Sequence, residues 1–192
     1  MDHGVTRPPL PARPRPLPEE SLTSWLARTA RANAIGAHEL LTLAAGRRHN
    51  LLSQDLDCHV PAYVVEGLSQ LTMVSPETIR DHTIEMWAQR LVPFEGKGRA
   101  RRWILPQLEM NRTPTRPWMQ FCVECLRSDL VPYFRRVWRI AFVTTCPSHR
   151  QVLSEACERC GKPLGFLSPH SYRRQIDHIP SIALCAFCGF DL

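Results

Sequence analysis

Four pairs of soft metal ligands share one spacing: Cys122-x-x-Cys125, Cys146-x-x-His149, Cys157-x-x-Cys160 and Cys185-x-x-Cys188. Twenty residues separate the first two pairs and twenty-four the last two. Two ligands three residues apart can turn both donor atoms inward within one knuckle. Two knuckles then complete a tetrahedron around Zn²⁺, which accepts thiolate and imidazole alike. Sequential pairing gives a site of three thiolates and one imidazole (Cys122, Cys125, Cys146, His149) and a site of four thiolates (Cys157, Cys160, Cys185, Cys188). A cross-braced pairing would join the first knuckle to the third and the second to the fourth. The two intervals lie at or somewhat above the usual ribbon spacing, which favours the sequential pairing. Both sites are then closed, with no coordination position left for a substrate, so the expected ions are two structural Zn²⁺ per chain.

A redox role would need a βαβ frame and a thiolate lowered at a helix N-terminus, and three C-x-x-C motifs plus a C-x-x-H do not require it. Cys58 is the odd thiol. Its neighbour His59 suggests a third site, but two adjacent residues chelate poorly, so a buried or merely reduced cysteine is expected. The sequence contains no Gly-rich phosphate loop, paired acid cluster or nucleophile setting. No catalytic or cofactor-binding residue is therefore assigned, and the expectation is a protein that is not an enzyme.

The filler between the first two knuckles, "VPYFRRVWRIAFVTT", offers Tyr133, Phe134, Trp138, Ile140 and Phe142 as a small core, because a zinc ribbon has little core of its own. Arg135, Arg136 and Arg139 are then expected on an outer face, as candidate nucleic-acid contacts. Upstream, Lys97, Arg99, Arg101 and Arg102 precede Trp103. Arginines clamp phosphates and an indole stacks on a base, so this stretch is the stronger nucleic-acid candidate.

The elements that must carry these groups follow from the rest of the chain. With 192 residues, 44% of them apolar, one or two small domains can form a core. Residues 1–18 hold six prolines and three arginines and read as an extended arm. They contain no apolar run suited to a signal peptide or membrane span, so a cytoplasmic, reducing location is expected and no membrane partner. Leu22, Trp25, Leu26 and Ala30 then fall on one helical face, with Pro18 at its start and Gly36 as its stop. A second helix ends at Gly46. Helical patterning resumes at Pro61 with Val64, Val65, Leu68 and Leu71. After a turn, Ser75 as N-cap and Pro76 in the first turn open a stripe through Ile79, Thr83 and Trp87 or Met86.

The fold class expected is mainly α: an N-terminal helix-turn-helix-like helical domain followed by two small zinc-ribbon or zinc-finger modules. The boundaries are a Pro/Arg-rich arm at 1–18, the helical domain at 19–91, a basic linker at 92–119 with a short strand at "RWIL", and a tandem zinc-finger domain at 120–192.

The formal charge of +6 is uneven: residues 19–85 sum to −4 and residues 86–119 to +5. Two zinc ions held by seven thiolates would lower the working charge to about +3. Of the 24 basic residues 22 are Arg, which suits bidentate phosphate or carboxylate contacts. A recognition helix in a domain of charge −4 would meet phosphates poorly, so the helical domain is expected to pack against protein.

The residues resemble the TniQ/TnsD-type transposition proteins. The likeness begins at "RPLPEESLTSWLARTARAN", returns at "LTMVSPETIRDHTI" and is most specific in "FCVECLRSDLVPYFRRVWRIAFVTTCPSHRQVLSEACERCGKPL". The resemblance implies a bacterial, non-enzymatic target-selection adaptor. Such an adaptor links a DNA target, or an RNA-guided CRISPR effector with its guide RNA, to the AAA+ transposition ATPase (TnsC or TniB). It also implies structural zinc at the eight ligands named above. Longer members extend past the second zinc site and bind specific DNA, whereas this chain stops at "CGFDL". Sequence-specific attachment-site recognition is therefore not expected, and the resemblance is to the compact members of CRISPR-associated transposons. The competing reading is a stand-alone zinc-containing helix-turn-helix transcription regulator acting as a homodimer.

Overall fold

The computed structural model describes residues 8–46, 51, 54–87, 103–107, 116–167 and 181–192. Five helices fall within them: α1 (Leu22–Ala32), α2 (Ala37–Ala45), α3 (Ala62–Thr72), α4 (Pro76–Asp81) and α5 (Val123–Ser128). A 3-10 turn spans Arg136–Arg139, and two short antiparallel strands, β1 (Thr145–Cys146) and β2 (Gln151–Val152), make the one sheet among the described residues. The protein is mainly helical with few strands, as the sequence implies.

Local chemistry sets the helix ends. Ser21 caps α1 by accepting the Ser24 N–H at 3.1 Å, and Ser75 caps α4 by accepting that of Thr78 at 3.1 Å. Gly36 is not the stop of α1 but the N-cap of α2; α1 ends at Asn33. The stripe expected to run on from Ile79 breaks at His82, where α4 ends, and Thr83 is buried from a turn. Leu22, Trp25, Leu26 and Ala30 pack inward with Val64, Val65, Leu68 and Leu71. Gly67 is required where α3 crosses α2, because a Cβ there would lie 1.9 Å from the Ala44 carbonyl oxygen.

The core does not stop at the expected boundaries. One continuous apolar cluster runs from Leu10 through the helices to Phe121, Phe134, Trp138, Phe166 and the C-terminal Leu192. The arm joins it. Leu10 is buried and its N–H donates to Leu71, Asn33 bonds both backbone groups of Ala12, and the Trp25 indole N–H donates to the Pro14 carbonyl at 2.8 Å. Trp118 and Met119, at the end of the expected linker, are buried in the same cluster. Ile104, in "RWIL", forms a bridge with Ile140. No helix among the described residues is long and apolar enough to cross a membrane.

The segment 133–139 joins the helices to the cysteine knuckles. The Phe134 N–H donates to the Ser24 hydroxyl at 3.0 Å, its carbonyl accepts the Ser21 N–H, and Glu20 bridges Arg135. Phe134 stacks on Phe166 at 4.6 Å and meets Phe121 and Trp138 edge-on. Of the small core expected around these rings, Phe134 and Trp138 are part of the main core, whereas Ile140 packs in a separate small cluster with Cys58, Ile84 and Ile104, Tyr133 is half-buried and Phe142 stays exposed.

Candidate metal centres

The first knuckle is built at a helix start. Cys122 caps α5, its sulfur accepting the Cys125 N–H at 3.4 Å, so both sulfurs turn to one side. The second is the tip of the β1–β2 hairpin, where Arg150 takes the left-handed conformation (φ 52°) and returns its N–H to the Cys146 carbonyl. Phe121 and Ser154 exchange backbone hydrogen bonds at 2.9 and 2.7 Å, which sets the hairpin beside the start of α5. Backbone pairing thus brings the two pairs together.

The third and fourth knuckles repeat the hairpin-tip geometry with glycine. Gly161 (φ 68°) donates to the Cys157 carbonyl and Gly189 (φ 70°) to that of Cys185. The sequence signal was present in the glycine that follows each of these C-x-x-C pairs, because a left-handed residue closes such a turn most readily when it lacks a Cβ.

These turns gather the ligands sequentially. Cys122, Cys125, Cys146 and His149 form one group and Cys157, Cys160, Cys185 and Cys188 the other, with the ligand atoms of each group within 4.8 Å of one another. Tetrahedral zinc, with bonds of about 2.3 Å to sulfur and about 2.0–2.1 Å to nitrogen, sets S···S edges near 3.8 Å and S···N edges near 3.5 Å. Cys125 and Cys146 sulfurs are 3.6 Å apart, and His149 Nδ1 lies 3.3, 3.5 and 3.6 Å from Cys125, Cys122 and Cys146. The Cys157–Cys188 and Cys160–Cys185 sulfurs are each 3.7 Å apart. A disulfide needs about 2.05 Å, and none of the eight cysteines is in one. The donor sets and spacings therefore fit a tetrahedral metal ion at each site.

Burial pushes the Cys125 and Cys185 thiols up to about 12. As free groups they would stay protonated at neutral pH and be poor nucleophiles; a cation is what would ionise them. Burial also acts on Cys188, but the Phe190 N–H and the neighbouring thiols outweigh it and bring this group down to about 7. No local pattern singles out Gln151, whose side-chain amide donates to the Cys122 sulfur at 3.0 Å. Such an outer contact orients a ligand.

The other predicted contacts are placed differently. Arg139 is not on an outer face: its side chain is fully buried, bonded to Asp55 at 2.6 Å, Asp57 at 2.8 Å and the Leu105 carbonyl at 2.8 Å. Two carboxylates some eighty residues upstream draw the guanidinium inward, which corrects its assignment as a nucleic-acid contact. Arg135 is half-buried, paired with Asp129 and stacked on Tyr133 and Trp138. Arg136 pairs with Glu19, donates to the Asp81 carbonyl and covers Trp87. Lys97, Arg99, Arg101 and Arg102 lie outside the described residues. Trp103 is exposed and meets Phe142 edge-on at 6.1 Å. Cys58 and His59 make no joint site: the Cys58 thiol donates to Asp55, while His59 bonds Glu85.

A family model described as TniQ matches residues 11–153. That span takes in the docked arm, α1 to α5, the 133–139 segment and the four ligands of the first cluster, and it ends before the second. No curated protein matches the chain. A match over most of the chain, laid on the segments that form the shared core, means that the chain belongs to the TniQ family.

Proposed function

We propose that this chain is a non-enzymatic target-selection adaptor of DNA transposition, held in shape by two structural zinc ions. In this reading it links a DNA target, or an RNA-guided CRISPR effector, to the AAA+ transposition ATPase of the TnsC or TniB kind. The observation that carries the proposal is the TniQ match over residues 11–153. The two compact ligand groups support the zinc assignment, because sets of three thiolates with one imidazole and of four thiolates are those of closed structural sites.

The short helix α4 favours the adaptor over a stand-alone transcription regulator. Its six residues include Glu77 and Asp81 against one arginine, Arg80, which is a poor reader of a phosphate-lined groove. Contact with nucleic acid would come instead from the stretch Lys97, Arg99, Arg101, Arg102 and Trp103.

Co-precipitation with the ATPase in the presence of ATP, run beside a gel shift on random duplex DNA, tests the reading. The adaptor captures the ATPase and binds DNA weakly alone; tight sequence-selective DNA binding without ATPase capture would establish the regulator instead. Neutralising Lys97, Arg99, Arg101 and Arg102 together should flatten the dependence of nucleic-acid retention on salt. An unchanged slope removes that contact from the proposal.

A further inference from the structure

The tip of the β1–β2 hairpin, Pro147 to Arg150, is exposed along its whole length. Its backbone is held from below: Cys146 and His149 belong to the first ligand group, and the Arg150 N–H returns to the Cys146 carbonyl at 2.8 Å. Coordination also fixes the proton on the imidazole. His149 turns Nδ1 toward three sulfurs at 3.3 to 3.6 Å, so a metal bound there leaves the proton of the neutral ring on Nε2. That N–H points away from the cluster. A metal-bound histidine ordinarily donates this proton to a carboxylate, a carbonyl or water, and no described residue accepts it from His149.

Arg150 stands apart from the other arginines of this module. Five lie between Cys122 and Leu153, and four are tied to carboxylates: Arg127 to Glu124, Arg135 to Asp129, Arg136 to Glu19, and Arg139 to Asp55 and Asp57. Arg150 has no carboxylate partner among the described residues. Its backbone is left-handed (φ 52°), the conformation that Gly161 and Gly189 fill at the later knuckles. A Cβ is strained there, so an arginine at this turn needs a reason in its side chain. Packing supplies none, because the residue is exposed. The Ser148 hydroxyl, in the same turn, also has no partner among the described residues.

We infer that this tip is a phosphate contact for nucleic acid: the Ser148 hydroxyl, the His149 Nε2–H and the Arg150 guanidinium donate to oxygens of the sugar-phosphate backbone. Donors of these kinds position a protein on a nucleic acid without reading its sequence. All three lie in one turn fixed by ligation and by strand pairing, so little freedom is lost on contact. An acidic protein segment fits less well. A protein interface is built around an apolar core, for which the tip offers only Pro147. The inference rests on the reading of this chain as one that works on nucleic acid, and it adds a second contact to the stretch from Lys97 to Trp103.

The test titrates the full zinc-loaded chain with a labelled random duplex DNA, followed by fluorescence anisotropy at several salt concentrations. Arg150→Gly relieves the left-handed strain, so melting temperature should hold or rise and both ligand groups should keep their zinc. Its affinity should nevertheless fall about three- to tenfold, and the slope of log K against log salt should shrink by about 0.9, the share of one phosphate. Arg150→Lys should keep the slope, and Arg80→Gln, on α4, should change neither quantity. NMR on protein with isotope-labelled histidine reads the imidazole directly. One ring N–H signal, absent in His149→Cys, should shift on adding duplex and exchange more slowly with water.

An unchanged slope in Arg150→Gly, or a His149 N–H signal indifferent to duplex, overturns the contact. So does loss of zinc from Arg150→Gly, which would assign the charge to the cluster. Inorganic phosphate that shifts the same signal as far as duplex would assign the tip to a free anion. A poly-glutamate peptide bound as tightly as duplex would assign it to an acidic protein, and either result removes nucleic acid as the partner. Should the unaltered chain retain no duplex, the tip contact falls, while capture of the ATPase decides the adaptor reading by itself.

Discussion

The two ligand groups share a geometry but not a setting. In the first, Cys122, Cys125 and Cys146 are all buried, and the interval between its knuckles contains the segment 133–139 that bonds to α1 and stacks in the main core. In the second, Cys160 and Cys188 are only half-buried, and the group sits on the core through Phe166 stacked on Phe134 and the Trp118 indole donating to the Leu164 carbonyl at 2.7 Å. The family match encloses the first group and ends before the second. The lesson is that equal coordination chemistry does not mean equal structural weight. A metal at the first site would close the loop that carries the core; a metal at the second would close a module resting against it.

The strongest way to break this comparison is to remove one ligand from each site. Cys146→Ser should abolish cooperative folding, because binding energy at a structural zinc site is folding energy, on the order of 10–16 kcal/mol at neutral pH. Cys188→Ser should leave a folded chain with one zinc. Hydrogen exchange should quicken in residues 181–192 while the amides of α1 and α3 stay protected. Elemental analysis and exchange on both variants check this. If Cys188→Ser unfolds α1 and α3 as completely as Cys146→Ser, the two sites carry equal weight and the distinction falls.

A smaller but still large effect is expected at Arg139, the buried tie between the first module and the helices. Burial disfavours an isolated charge, yet Asp55 and Asp57 bring the guanidinium well above its ordinary range. Burial likewise pushes Asp57 up, while for Asp55 it is outweighed by the Arg139 charge and hydrogen bonds. Arg139→Met leaves the buried Asp57 and the half-buried Asp55 without their cation and should cost about 3–5 kcal/mol by denaturant titration. Arg139→Lys should recover little of that, because one ammonium cannot reproduce the fork shared by Asp55, Asp57 and the Leu105 carbonyl. Full rescue by lysine would show that only charge matters at this tie.

What could be read from the sequence followed from locality. The ligand pairs each span four residues, Ser75 and Pro76 mark a helix start, and the stripe from Val64 to Leu71 has helical period, so each signal lies within one turn or one helix. Arg139 had no such signal. "YFRRVWR" looks the same whether its arginines meet water or carboxylates some eighty residues away, and only the tertiary fold brings Asp55 and Asp57 near. The arm was illegible for the same reason: its proline content predicts an extended backbone, but Asn33 and Trp25 are what dock it. Arg150 hid its role because it fills a left-handed turn position taken by glycine in the third and fourth knuckles.

The mildest test concerns a surface tie on the same segment. Arg136 reaches Glu19 at 2.9 Å, with the carboxylate more than half exposed. The hydrogen bond from Arg136, with its charge, holds the Glu19 carboxyl below its usual range against the opposing effect of burial. A depressed acid contributes stability that is present above its unfolded value, near pH 4.5, and is lost as pH falls through its lower folded value. Because water and salt screen so exposed a pair, Glu19→Gln should cost only about 0.5 kcal/mol at neutral pH. The difference from the unaltered chain should vanish in acid and shrink in high salt. If the substitution instead costs several kcal/mol, the helical half and the first metal module are joined as firmly at their rim as at Arg139. The buried tie would then lose its special place in the fold.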